Sequence, residues 1–235
     1  MQELLDLLLP TRCVVCGESG DALCRGCRSR LPLLTAPVCG RCGSPAAAAC
    51  LECDGRDLAF ATARSAVAYR GDGARTLAAW KEGGVWRLTR IAASIVTDVV
   101  PRPTVDALTS VPPDRDRVLW RGHDPAAALG RALGREWGIP YRRALRRASR
   151  VAAQKRLDGL ERQQNVAGSF AAMRCTPECV AVVDDVYTTG ATASAAAQAL
   201  CVGGAQTVEV VTFARTLRVR QGRSVPRHPQ LESHR

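Results

Sequence analysis

Between residues 58 and 215, short apolar runs alternate with stretches whose apolar positions recur every three to four residues, the pattern of strands feeding helices. Ala66 to Tyr69 reads as a short strand, Gly71 to Trp80 as a turn and helix, and Val85 to Val100 as a longer helix. Ala107 to Val111 reads as a buried strand that Pro112 and Pro113 stop, because proline offers no ladder N–H. A helix follows from Pro125 to about Gly138. Val180 to Val183 is apolar enough for a buried parallel strand, with Asp184 and Asp185 at its carboxyl end and a helix over Thr192 to Leu200. Strands alternating with helices predict an α/β fold, a parallel sheet flanked by helices.

The first 57 residues break this rhythm. Eight of the eleven cysteines fall there as Cys13/Cys16, Cys24/Cys27, Cys39/Cys42 and Cys50/Cys53. Each half reads C-x2-C-x7-C-x2-C, and an eleven-residue linker joins the halves, so the unit is duplicated. Two sulfurs of a C-x-x-C turn reach one ion, and four thiolates close a tetrahedral structural site. Two Zn²⁺ ions are expected. The repeat favours Cys13, Cys16, Cys24 and Cys27 on one ion and Cys39, Cys42, Cys50 and Cys53 on the other, while an interleaved pairing stays open. A disulfide framework is the alternative, and it belongs to secreted chains. A unit this small has little core, so metal would supply most of its folding free energy.

Apolar residues make up 46% of the 235 positions and charged ones 23%, which excludes fibrous and wholly disordered classes. A formal charge of +11 attracts phosphates or anionic polymers. Only Lys81 and Lys155 are lysines, which fits a genome bias toward arginine as well as guanidinium forks on phosphate. The opening MQELLDLLLP carries acids where a secretory signal carries positive charge, and its apolar run is too short to span a bilayer. The uncharged stretch from Val186 to Val208 is too polar for a membrane helix. A cytoplasmic protein without an integral membrane segment is expected.

Arginines gather in two places. Arg115, Arg117 and Arg121 lie on the loop after Pro113, where they could close over a phosphate or simply face water. Arg142, Arg143, Arg146, Arg147 and Arg150 stand at helical spacing and would form one basic stripe, a track for a nucleic-acid backbone or a solvated face. The tail from 216 to 235 holds five arginines, two prolines and one acid and is expected to be unstructured.

The segment from Cys179 to Leu200 carries the most chemistry. A strand, tight loop and helix put Val186 to Thr192 where open α/β sheets bind ligands. Loop amides and a helix N-terminus form an anion cradle, Gly190 permits close approach, and Thr188, Thr189 and Thr192 add hydroxyl donors. Two carboxylates beside a bound phosphate would be repelled unless they meet sugar hydroxyls or hydrated Mg²⁺. A ribose 5-phosphate satisfies both.

VVDDVYTTGAT resembles the phosphoribosyl pyrophosphate (PRPP) motif of type I phosphoribosyltransferases. The resemblance implies ribose contacts from Asp184 and Asp185 and a phosphate loop from Thr188, Thr189, Gly190, Ala191 and Thr192. It extends to the ComF family, in which a double zinc ribbon precedes such a domain. The marks are LLLPTRCVVCG, Lys81, SVPP at 110 to 113, RG at 121 to 122, Gln154 and Leu157, and ERQQNVAGSF. That resemblance implies a ribbon over 1–57, a phosphoribosyltransferase-like domain over 58–215 and a basic tail. It also implies Ser110, Val111, Pro112, Pro113 and Arg121 as pyrophosphate-loop candidates, and Mg²⁺ with PRPP. The implied biology is competence and DNA uptake at the inner face of the membrane, with single-stranded DNA and a helicase as partners. An active phosphoribosyltransferase, a glycosyltransferase of nucleobase or nucleotide salvage, is the alternative. The family commonly has R-G-F-N-Q where this chain has Arg121-Gly122-His123-Asp124-Pro125, and purine-type enzymes carry an acid where Thr188 stands.

Overall fold

The computed structural model describes residues 11–45, 50, 52–114, 122–148, 169–174 and 176–217. Four parallel strands form the central sheet: β1 (Thr62–Ala68), β2 (Ala107–Ser110), β5 (Cys179–Tyr187) and β6 (Thr207–Arg215), ordered β1-β6-β5-β2. Parallel neighbours need crossovers, and helices supply them. Helices α2 (Gly71–Lys81) and α3 (Leu88–Val99) follow β1, α4 (Pro125–Trp137) follows β2, and α5 (Ala191–Val202) joins β5 to β6. A one-turn helix, α1 (Arg25–Ser29), lies in the first cysteine unit.

Local sequence sets several boundaries. The Asp124 carboxylate accepts the Ala127 N–H at 3.0 Å to cap α4, Pro125 opens its first turn, and Gly138 ends it in the left-handed region at φ 65°. The expected helix over Val85 to Val100 begins at Leu88, past Gly83 and Gly84. β5 is longer than expected and runs through both aspartates to Tyr187, because β6 pairs along its whole length from Cys179↔Thr207 to Tyr187↔Arg215. The aspartates therefore lie inside the strand rather than at its end.

The arginine-rich segment is also different. Where helical spacing predicts a helix over Arg142 to Arg150, the chain forms a loop and β3 (Leu145–Arg147), antiparallel to β4 (Phe170–Ala172). The partner strand lies more than twenty residues away, so local spacing carries no sign of it. Arg150 lies outside the described residues, as do the ComF-like marks at 7–10, 121, 154, 157 and 161–168.

The sheet buries both faces. Ala181 and Val183 of β5 pack with Trp80, Leu88, Val96, Leu129 and Leu133 of α2, α3 and α4. Val180 and Val182 pack on the other face with Ala196, Ala197 and Leu200 of α5. The cysteine units divide between these cores: Cys13, Leu23, Cys27 and Leu31 join the first, Cys42 and Cys53 the second. The linker between them covers the β1 edge through Leu34 N–H to Ala66 O (2.9 Å) and Ala68 N–H to Pro32 O (2.8 Å). Tyr141 bridges to Leu108 at the β2 edge.

Candidate functional site

The helices after β2 and β5 pack on opposite sheet faces, which opens a crevice between the carboxyl ends of these strands. A cavity of about 320 Å³ occupies it. Val111, Pro112, Pro113 and Asp114 wall one side, Asp184, Asp185, Val186 and Thr192 the other, and His123, Asp124, Lys81 and Arg147 complete it. The proline pair and the aspartate pair thus face one space although some seventy residues separate them. Ser110 turns its hydroxyl to that of Tyr141 at 2.7 Å. Arg121 lies outside the described residues.

Asp185 is buried and its Oδ2 lies 2.6 Å from Lys81 Nζ. Lys81 is the last residue of α2, so a helix more than a hundred residues upstream delivers a cation to the acidic pair. From residue types alone, sugar hydroxyls or Mg²⁺ are the groups expected to offset these carboxylates, and the structure supplies an ammonium for one of them. Lys81's place at the helix end was readable; its reach to Asp185 depends on how α2 packs.

Asp184 has no ion-pair partner among the described residues, and its Oδ1 accepts the Asp185 N–H at 2.8 Å. Burial, reinforced by the neighbouring Asp185 charge, pushes its carboxyl up to about 8, against the opposing pull of that N–H and Lys81. Burial likewise raises Asp124. With Asp184 protonated in the folded chain and ionised in the unfolded one, stability should fall as pH rises from about 4 toward 8 and level off above, at roughly 1 kcal/mol per pH unit. Urea unfolding at pH 6.5 and pH 8 checks this. Asp184→Asn should flatten the slope, and an unchanged slope would refute the assignment.

Past Tyr187, Thr188 and Thr189 are exposed and Gly190 is buried at φ 79° as the N-cap of α5. The Thr189 hydroxyl accepts the Ala191 N–H at 3.3 Å, which tightens the turn. A helix start leaves its first amides without intrahelical partners, so the turn presents N–H groups and the positive end of α5 beside the cavity that Thr192 lines. This geometry can hold an oxyanion, and the adjoining carboxyl and carboxylate can accept from hydroxyls.

Of the arginines in the basic segment, Arg147 enters the crevice. Its Nε donates to Pro113 O at 3.0 Å and its guanidinium lies 5.5 Å over the Phe170 ring. Arg142, Arg143 and Arg146 are exposed, and the charge of Arg143 reaches Asp124.

The cysteines form two clusters among the described residues, Cys13/Cys16/Cys24/Cys27 and Cys39/Cys42/Cys50/Cys53, each with its sulfurs within 4.8 Å of one another. The sequential pairing is therefore the one the fold adopts. Sulfur separations of 3.7 Å (Cys16–Cys24), 3.7 Å (Cys39–Cys53) and 3.5 Å (Cys42–Cys50) approach the roughly 3.8 Å edge of a tetrahedron with Zn–S bonds of about 2.3 Å. Residues 4–56 match the double zinc ribbon domain family. Each ribbon is a closed four-thiolate site for structural zinc, and the Cys24 N–H and Arg30 guanidinium add donors to the Cys13 and Cys27 sulfurs at 3.4 and 3.1 Å.

Solved structures similar to the chain include the glutamine PRPP amidotransferase from B. subtilis complexed with ADP and GMP, at 22% identity and a TM-score of 0.36 over 53% of this chain and 25% of that one. Another is described as the allosteric regulatory enzyme of purine biosynthesis, at 21% identity and a TM-score of 0.34 over 53% and 24%. The chain thus spans about a quarter of the length of either. No curated protein matches it. No helix among the described residues is long and apolar enough to cross a membrane.

Proposed function

We propose that the chain is a ComF-like protein that binds PRPP or a phosphorylated ribose, with the 5-phosphate on the Thr188–Thr192 turn and the ribose hydroxyls on Asp184 and Asp185. One observation carries this reading: the two acids and Thr192, in the first turn of α5, line a single cavity between β2 and β5. Asp184, protonated near neutral pH, can donate to or accept from a hydroxyl, and Asp185 accepts. Lys81 offsets the negative charge that would repel a phosphate, and Arg147 adds a second cation at the rim. Mg²⁺ would enter with PRPP on the pyrophosphate, opposite Val111 to Pro113. In this reading the protein serves DNA uptake, with exposed Arg142, Arg143 and Arg146 meeting single-stranded DNA and a helicase as partner.

Calorimetry with PRPP and Mg²⁺ tests the site. Wild type should bind; Asp185→Ala should weaken binding roughly ten- to a hundredfold, the worth of a hydrogen bond to a charged group, and Asp184→Ala about two- to tenfold, the worth of one to a neutral carboxyl. Absent wild-type binding, or equal binding by the variants, would overturn the reading. Catalytic transfer to a nucleobase is the alternative, favoured by the space between the proline wall and the aspartates, where a leaving pyrophosphate would sit. Pyrophosphate release across a nucleobase panel separates it from binding alone.

A further inference from the structure

Arg215, the last residue of β6, is fully buried. Its Nη1 donates to Cys42 O, and its Nη2 meets Glu52 Oε2 at 2.7 Å. Cys42 is a sulfur ligand of the second ribbon, and Glu52 stands between two others, Cys50 and Cys53. The guanidinium carbon lies 4.7 Å over the ring of Tyr187, its partner in the β5–β6 register. Phe60 packs edge-on against the same ring at 6.3 Å between centroids. Tyr187 in turn supports the turn beyond it: its hydroxyl lies only 2.3 Å from where a side-chain carbon on Gly190 would sit.

A buried arginine is costly, and apolar residues of similar volume usually stabilise a core as well or better. This one leaves its Nε without a partner, so stability alone does not account for it. What it does join is a zinc-binding loop and the Tyr187 ring, and through that ring the glycine that opens α5. A second tie runs in parallel, from Ala59 N–H behind the second ribbon to Ser194 Oγ in the first turn of α5, at 3.0 Å. The first ribbon is anchored elsewhere, by Arg28 to Ser94 and Asp98 on α3 and by Arg30 to Asp72 on α2.

We propose that Arg215 is a positioning residue through which zinc in the second ribbon holds the Thr188–Thr192 turn in shape, so that this zinc and a sugar phosphate on the turn strengthen each other's binding. The ligand half rests on the reading of that turn as a phosphate cradle. Coupling of this kind is reciprocal. Losing the zinc loosens the Cys42 carbonyl and Glu52, leaves the guanidinium without its acceptors, and frees the Tyr187 ring that fixes Gly190.

The test uses the full-length, zinc-loaded chain under slow chelation, with alkylation of each cysteine read by peptide mass spectrometry and ribose 5-phosphate as the probe. Saturating ribose 5-phosphate should slow labelling of Cys39, Cys42, Cys50 and Cys53 about tenfold and leave Cys13, Cys16, Cys24 and Cys27 unchanged, within the usual range of coupling. Equal slowing of both clusters would signal general stabilisation and overturn the proposal. Hydrogen exchange supplies a ligand-free arm. In Arg215→Met with both zinc ions bound, amides 188–193 should exchange about tenfold faster while those of α3 hold their rate. Glu52→Gln gives a smaller change of the same sign and serves if Arg215→Met does not fold. Unaltered exchange at 188–193 in the folded variant overturns the link. Faster exchange there in a chain that binds no ribose 5-phosphate supports the link between ribbon and turn and overturns the phosphate reading instead.

Discussion

Gly190→Ala should lower the stability of the chain by about 3 kcal/mol and its melting temperature by about 10 °C, and should weaken any anion on the turn. Two independent penalties add. At φ 79° a residue with a side-chain carbon pays about 1–2 kcal/mol for the left-handed backbone. The new carbon would also lie 2.3 Å from the Tyr187 hydroxyl and 2.7 Å from the adjoining ring carbon, where overpacking costs about 1–3 kcal/mol. Tyr187 has no easy retreat, since Arg215 covers one side of its ring and Phe60 meets its edge. Thermal unfolding of Gly190→Ala and of Gly190→Ala with Tyr187→Phe separates the penalties. Removing the hydroxyl should recover part of the loss, and the backbone share should remain. A single variant as stable as wild type would mean that the turn does not pack on Tyr187 as described.

Much of this was readable in the chain because it depends on near neighbours. The helix at Pro125 is bracketed by a capping aspartate, a first-turn proline and a terminal glycine, all within fifteen residues. The strand at 180–183 announces itself by an unbroken apolar run, and the cysteine clusters by a spacing repeated twice. What local patterning does not carry depends on distant partners. Arg142 to Arg147 keep a helical spacing, yet Phe170–Ala172 pairs with Leu145–Arg147 and pulls the segment into a ladder. The length of β5 is set by β6, a partner that lies beyond the α5 crossover. Lys81 stands out in the sequence as one of two lysines and as a mark of the ComF resemblance, but its role at Asp185 follows from packing α2 against the sheet. Arg215 is similar. An arginine at the end of an apolar strand looks like a solvent-facing terminus, and only the second ribbon, folded over it, makes it a buried hub.

Removing zinc from both ribbons should lower the melting temperature of the entire chain by about 15 °C or more, in one transition, rather than melt a ribbon and spare the sheet. The reason lies in where the ribbons bury their apolar groups. Leu23 and Leu31 of the first ribbon share a core with Trp80, Leu88 and Val96, while Cys42 and Cys53 of the second share the opposite core with Val180, Val182 and Leu200. In a four-thiolate unit the metal is the main tie between the loops, and apparent binding energies of about 10–16 kcal/mol in isolated zinc peptides show how much order the ion maintains. If the loops open, two leucines at about 1.5–3 kcal/mol each return to water, so roughly 5 kcal/mol is lost from the shared core. For a chain of this size each kcal/mol moves the midpoint by about 2–4 °C. Calorimetry of the zinc-loaded and chelated protein measures the shift, and Leu23→Ala with zinc retained should reproduce part of it, at about 2–5 kcal/mol. A sheet transition that stays in place after both ions are gone would show that the ribbons ride on the α/β body without contributing to its cores.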